Sequence, residues 1–130
     1  MSGDGRPVAC HPAHMRVLPL SLLLLASPAL SDPARILGAE ATRAQSDWRF
    51  DVTLEHDDTG WDDYADGWRI ELSDGTVLGT RILAHPHVTE QPFTRSLSGV
   101  AVPEGTRSVH IRARTNQTGW DNETVALTLP

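Results

Sequence analysis

The chain has 130 residues, 11 basic and 17 acidic side chains, a net charge of −6 and one cysteine. All of the basic residues are arginines spread singly along the chain, so no basic stripe is present to neutralise a phosphate backbone, and we expect no nucleic-acid partner. A single cysteine cannot form an internal disulfide or a Cys-x-x-Cys redox pair. The stability of the protein must therefore come from a packed core.

Residues 15–31 have the form of a secretory signal peptide. A short positive start precedes an apolar run of 14 residues at 17–30, and the segment ends in a small-x-small pattern. A bilayer span needs roughly 20 apolar residues, so we expect no membrane span in the mature form. Cleavage is predicted near Ser31, with a site after Ala34 as the alternative. The protein is therefore predicted to be secreted or periplasmic.

The signal peptide divides the chain into four parts. Residues 1–14 are polar and have no place before a signal peptide, so we expect the protein to start at Met15. Residues 32–47 are predicted to be a lead-in segment or an edge strand. Residues 48–130 are predicted to form one β-sandwich domain.

Alternation of apolar and polar residues predicts strands through most of 48–130. This period of two, typical of strands with one buried face, occurs at 48–55, 68–72, 109–113 and 125–129. Asp74 and Gly75 predict a type I′ hairpin turn into a return strand over 76–84, and 93–102 predicts one more strand. We therefore expect an all-β fold, an antiparallel β-sandwich of six to seven strands. An immunoglobulin or fibronectin-like topology is the first expectation, and a jelly roll or small barrel is the second.

An acidic segment stands between two predicted strands. It carries five aspartates, namely Asp57, Asp58, Asp62, Asp63 and Asp66. Calcium takes six to eight oxygen ligands, which such a turn can supply from carboxylates and backbone carbonyls. The segment is therefore a candidate calcium site, and the alternative is a solvated acidic loop.

A partial repeat places a tryptophan in each of two loops. Residues 59–63 and 118–122 both begin Thr-Gly-Trp-Asp, with Trp61 and Trp120 at the third position. An exposed indole face stacks on sugars or cations, so the pair is a candidate binding platform. The alternative is that both rings fold over the open ends of the core.

Two histidines in an extended segment form a third candidate site. His85 and His87 are two residues apart, so in an extended chain they point the same way. With Glu90, His56 or His110 they could complete a zinc or copper(II) site, since neutral imidazole is a common ligand of both metals. The alternative is that they are structural histidines.

No catalytic pattern accompanies these sites. The chain contains neither a Gly-x-Ser-x-Gly elbow nor a His-Glu-x-x-His motif, and we expect a protein that is not an enzyme. The sequence therefore favours an exported binding protein. A bound metal ion ranks first, an adaptor to another secreted protein through the tryptophan loops ranks second, and a hydrolase ranks third.

Three segments resemble a group of small secreted proteins from proteobacteria. The segments are 58–68, 78–88 and 90–97, which contain Asp-Thr-Gly-Trp-Asp-x-Tyr-Ala-Asp-Gly-Trp and His-Pro-His-Val-x-Glu-Gln-Pro-Phe-Thr-Arg-Ser-Leu. That group has no assigned activity. The resemblance implies export and a single compact domain, and it implies that the acidic loop and the histidine segment belong to the group's pattern.

Overall fold

The computed structural model describes residues 32–130, together with Gly3 and Gly5. The predicted start at Met15, the signal peptide and its cleavage near Ser31 lie outside these residues. In the described part of the chain, no helix has the length and apolar character needed to cross a membrane.

Strands and loops account for all of residues 32–130. The strands are β1 (Arg35–Ala44), β2 (Asp47–Glu55), β3 (Ala65–Glu71), β4 (Val77–Ile82), β5 (Phe93–Val100), β6 (Ser108–Thr115), β7 (Gly119–Trp120) and β8 (Val125–Thr128). One sheet has the order β1-β2-β5, and the other has the order β4-β3-β6-β7, with β8 also beside β6. Every pairing is antiparallel. The predicted all-β antiparallel sandwich is therefore confirmed.

The described residues contain eight strands, where six to seven were predicted. The segment 32–47, predicted to be a lead-in segment or an edge strand, is for the most part strand β1 at the edge of its sheet. The additional strand is β7, a two-residue strand that contains Trp120, where a loop was predicted. A period of two cannot be recognised in two residues, which is why the sequence pattern missed β7.

The core lies between the sheets and follows the predicted alternation. The side chains that β2 sends inward are at most 7% exposed, and they are Trp48, Phe50, Val52 and Leu54. From the facing sheet Trp68, Ile70 and Ile111 are fully buried. Burial of each large apolar side chain is worth about 1.5–3 kcal/mol, so these strands supply the main stabilisation of the sandwich.

The turn between β3 and β4 differs from the predicted type I′ turn. Gly75 has a φ of 89°, but Asp74 is not among the residues with positive φ, and a type I′ turn needs positive φ at both central positions. Instead the Gly75 amide donates to the Leu72 carbonyl at 2.9 Å, and the Leu72 amide donates to the Thr76 carbonyl at 2.8 Å. The Asp74 carboxylate accepts from the Thr76 amide, so it stabilises the turn without a left-handed backbone of its own.

Candidate functional site

Asp58 is the buried centre of the loop between β2 and β3. Its Oδ1 accepts hydrogen bonds from His56 Nδ1 at 2.6 Å and from the Ala65 amide at 3.0 Å. Its Oδ2 accepts from the His87 amide at 2.8 Å. The carboxylate thereby joins the end of β2, the start of β3 and the segment after β4. Because both oxygens are used inside the protein, Asp58 is a structural anchor of the loop.

His56 fastens the start of the sandwich to this loop. Its ring is buried, with Nδ1 facing Asp58 and Nε2 lying 2.9 Å from the Asp32 carbonyl oxygen. Both ring nitrogens therefore face oxygen atoms of the protein, and neither points into a space where a metal could bind. The His56 amide donates to Gln91 Oε1 at 3.0 Å, so the backbone of this residue is held as well.

His87 is buried in a stack of rings. Its ring lies 4.0 Å from that of Phe93 with an angle of 11° between the planes, and the ring of the exposed His85 lies 4.7 Å from it at an angle of 35°. Arg95 Nη2 donates to His87 Nε2 at 2.9 Å. Burial, and then the Arg95 charge, lower the pKa of His87, so the ring is neutral at pH 7. Its Nδ1 has no hydrogen-bond partner among the described residues.

Glu90 faces Arg95 and not the two histidines. Its carboxylate accepts hydrogen bonds from both terminal nitrogens of Arg95 at 3.3 Å. These bonds lower the pKa of Glu90. Because Arg95 also occupies the lone pair of His87 Nε2, it stands between the two residues that were predicted to share a metal.

The five aspartates of the acidic segment have different surroundings. Asp57 and Asp62 are exposed, whereas Asp63 Oδ1 lies 3.7 Å from His56 Nε2 and Asp66 forms an ion pair with Arg114 of β6. Within residues 32–130, no group of three or more histidines and carboxylates is placed to hold a metal ion. The calcium and the zinc or copper(II) assignments remain predictions.

Trp61 lies at the tip of the loop and is 66% exposed. Its ring meets that of Tyr64 edge to face, with centroids 5.6 Å apart. Asn116, in the turn after β6, donates to the Trp61 carbonyl at 2.9 Å and accepts from the Tyr64 amide at 2.9 Å. Gln117 Nε2 donates to the Asp62 carbonyl. The tip of the loop is therefore held by the neighbouring turn, and its base is held by Asp58.

Trp120 occupies a different setting, half-buried beside the outer face of the five-stranded sheet. Its Cη2 lies 4.0 Å from the position that a Cβ would take at Gly67, which is an ordinary van der Waals distance, so the ring lies beside this glycine of β3. The Arg69 guanidinium lies 4.1 Å from the ring centroid, and that of Arg114 lies 5.8 Å from it. Two arginines therefore flank the indole.

A buried carboxylate holds one of these arginines. Glu71 is 2% exposed and receives Arg69 Nε at 2.6 Å and Arg112 Nε at 2.7 Å. The hydrogen bond from Arg112 is the main reason that the pKa of Glu71 is lowered. The alternation of the sequence places all three side chains on the outer face, but their contact depends on the register of β3 with β6, which no local pattern reveals.

An open groove of about 330 Å³ adjoins Tyr64 and Trp120. We call it the aromatic groove, and its apolar walls are formed by Tyr64, Trp120 and Ile82. Ile82 is 74% exposed at the end of β4, an edge strand of its sheet. The Asp66–Arg114 ion pair also lines the groove. The sequence repeat identified both tryptophans, but Ile82 and Tyr64 carried no signal of their own.

Comparison with known proteins found one relative of note. Over 78 residues the chain is 45% identical to a protein of Halomicrobium mukohataei named "Putative lipoprotein", which covers 60% of this chain. The chain spans 38% of the length of that relative. No family model matches the chain, and no solved structure matches it.

Proposed function

We propose that this protein is an exported, non-catalytic β-sandwich module that binds a partner protein through Trp61 and the aromatic groove. The observation that carries the proposal is Trp61, a tryptophan that is 66% exposed on a loop held at its base and at its tip. Tryptophan and tyrosine are the residues that most often dominate protein interfaces. A loop whose backbone is already held in place loses little conformational entropy on binding.

The export part of the proposal rests on two observations. The segment 15–31 has the form of a signal peptide, and the relative from Halomicrobium mukohataei is named a lipoprotein, a class of exported, membrane-anchored proteins.

The non-catalytic part rests on the hydrogen bonds of the best acid-base candidates. His56 and Asp58 lie 2.6 Å apart, which is the distance of a catalytic pair. However, the remaining nitrogen of His56 is bonded to the Asp32 carbonyl, and the remaining oxygen of Asp58 is bonded to the His87 amide. The pair is buried and has no free atom to offer a substrate.

A photo-crosslinking experiment tests the proposed binding surface. A photoreactive phenylalanine analogue is placed at Trp61 in one variant, and at Val125 in a control that is also exposed but lies on β8. Both variants are expressed in the cell of origin and irradiated. We expect a discrete protein adduct from position 61 and none from position 125. Equal labelling at both positions, or none at position 61, would overturn the proposal.

The metal hypothesis for the acidic segment and the histidine segment stays a separate prediction. Binding of an ion to the folded state alone raises the melting temperature. Thermal melting at increasing calcium or zinc concentration therefore tests it. A rise at millimolar calcium or micromolar zinc would support a metal site, and an unchanged melting temperature would count against one.

A further inference from the structure

We propose that the aromatic groove and the arginines beside Trp120 receive an acidic segment of the partner protein, in which an aspartate or glutamate adjoins an apolar side chain. This inference rests on the proposed function, and it adds the chemistry of the partner. It is supported by the positive charge that remains around Trp120 and by the apolar walls of the groove.

Arginines occupy outward positions of the strands beside Trp120. Trp120 of β7 is paired with Arg114 of β6. One step along the same face, Arg112 of β6 stands directly opposite Arg69 of β3. Like charges in opposite positions of a sheet repel one another, and these two guanidinium groups share a single buried carboxylate, that of Glu71. One negative charge therefore serves two positive charges here.

Arg69 has hydrogen-bond donors left for a ligand. All three side-chain nitrogens of Arg112 are used, two by Glu71 and one by the Asp121 carbonyl. Arg69 donates from Nε to Glu71, but its two terminal nitrogens make no hydrogen bond to the residues that the structure describes. Its guanidinium lies 4.1 Å from the centroid of the Trp120 ring. A guanidinium edge with free N–H groups matches the geometry of a carboxylate.

Arg81 adds positive charge to the groove itself. It lines the groove, and within residues 32–130 no carboxylate lies within 4 Å of its side-chain nitrogens. The other two ionic residues of the lining, Asp66 and Arg114, are paired with each other. The lining of the groove therefore has a surplus positive charge.

This surplus stands in an acidic protein. The ionic groups beside Trp120 and in the groove are Arg69, Arg81, Arg112, Arg114, Asp66 and Glu71. Together with Asp121, which follows Trp120, they sum to +1, whereas the whole chain has a net charge of −6. The exposed Asp57 and Asp62 do not line the groove. An acidic segment is therefore complementary to this region and is repelled by the acidic remainder of the surface.

The apolar part of the ligand follows from the walls of the groove. Ile82 is 74% exposed, and Tyr64 and Trp120 stand beside it. The groove has a volume of about 330 Å³, which is near the lower end of the roughly 300–1,000 Å³ usual for small-molecule sites. Because it is open to solvent, it suits the apolar side chain of a passing segment, next to a carboxylate held by the arginines.

Short peptides of defined charge test the inference by nuclear magnetic resonance. The probe is acetyl-Glu-Leu-Glu-Leu-Glu-amide, and its controls carry lysine in place of glutamate or serine in place of leucine. The readout is the set of tryptophan indole N–H signals. We expect the acidic apolar probe to shift the signal of Trp120 and to leave those of the buried Trp48 and Trp68 in place. Both control peptides should cause at most a fifth of that shift, and added salt should weaken binding of the probe.

Variants locate the binding and separate its two components. Arg81→Gln and Arg69→Gln each remove one cationic group and should weaken binding of the acidic peptide about fivefold. Ile82→Ser removes exposed apolar surface and should weaken it about tenfold, in line with the loss of an interface anchor. Arg107→Gln, a matched change at an exposed arginine before β6, should have no effect. Melting temperatures confirm that each variant is folded.

The outcomes distinguish this inference from the proposed function. Equal binding of the lysine peptide, no shift by the acidic peptide, or binding that neither Arg81→Gln nor Arg69→Gln weakens would overturn the acidic-segment inference. If crosslinking at position 61 captures a protein while no acidic peptide binds, the module function stands and the inference fails. If the acidic peptide binds as expected while crosslinking captures nothing, the role proposed for Trp61 fails and the chemistry of the groove stands.

Discussion

The two Thr-Gly-Trp-Asp copies, at 59–62 and 118–121, begin alike and end in different surroundings. In both, the glycine has a positive φ, 147° at Gly60 and 72° at Gly119. The first copy stays in a loop and exposes its indole, whereas Gly119 and Trp120 of the second copy pair with β6. There the ring packs over Gly67 beside Arg69. The neighbouring strand, and not the four-residue sequence, therefore decides whether the tryptophan is available for binding.

The largest expected effect on stability comes from removing the Asp58 carboxylate, which anchors the loop that contains the first copy. Asp58→Ala leaves the buried donors of His56, Ala65 and His87 without an acceptor, so we expect a loss of about 3–5 kcal/mol in the free energy of unfolding. Urea denaturation measures it. Asp57→Ala, at an exposed neighbouring position, is the control and should change the free energy of unfolding by no more than about 0.5 kcal/mol.

A milder variant keeps this prediction testable if Asp58→Ala does not fold. Asp58→Asn retains one acceptor oxygen and should lose less stability than the alanine variant. A loss below about 1 kcal/mol for Asp58→Ala would show that the loop does not depend on this carboxylate.

The next largest expected effect is a loss of stability that depends on pH. It concerns Glu71, which holds Arg69 beside Trp120 of the second copy. The pKa of Glu71 is lowered in the folded state, mainly by Arg112, so its ionised form stabilises the protein above the unfolded-state pKa. This contribution is lost as the pH falls through the lower folded-state pKa. At pH 7 we expect Glu71→Gln to be less stable by about 2 kcal/mol. The difference from the parent protein should narrow once the pH falls below about 4.

The indole N–H signals in nuclear magnetic resonance spectra show whether the loss of the Glu71 charge affects Trp120. Because Glu71 holds Arg69 against Trp120, the Trp120 N–H should shift in Glu71→Gln while that of Trp61 stays in place. Glu104→Gln, an exposed change in the turn before β6, serves as the control. A difference in stability between Glu71→Gln and the parent protein that does not change with pH would contradict the role assigned to the Glu71 charge.

The fold was predictable because alternation is a local property, and the site was not because its contacts are distant in sequence. The inward residues of β2 could be identified from the sequence pattern alone. The partners of Asp58 lie at positions 56, 65 and 87, and only the sheet topology brings them together. The sequence shows five aspartates in this loop, but no local pattern distinguishes Asp58, whose carboxylate connects several strands, from the exposed Asp57 and Asp62.

A direct comparison of the two tryptophans gives a smaller effect. Trp120→Ala removes a half-buried ring and its contact with Arg69, so we expect a loss of about 1.5–2 kcal/mol, roughly half that of a core tryptophan. Trp61→Ala should change stability by less than about 0.5 kcal/mol, because the ring is mostly in solvent. Thermal and urea denaturation give both values. Equal losses at the two positions would remove the distinction between a structural and a binding tryptophan.

The smallest expected loss of stability concerns Asn116, whose side chain holds the tip of the loop that contains the first copy. Asn116→Ala removes the hydrogen bonds to the Trp61 carbonyl and the Tyr64 amide, and we expect a loss of about 1 kcal/mol. Hydrogen exchange is the sharper measurement, because the Tyr64 amide should exchange faster while the amides of β3 stay protected. Asn122→Ala, an exposed change in the same region of the chain, should leave Tyr64 unchanged. If Tyr64 stayed protected in Asn116→Ala, the Asn116 side chain would have no part in holding the tip of the loop that presents Trp61.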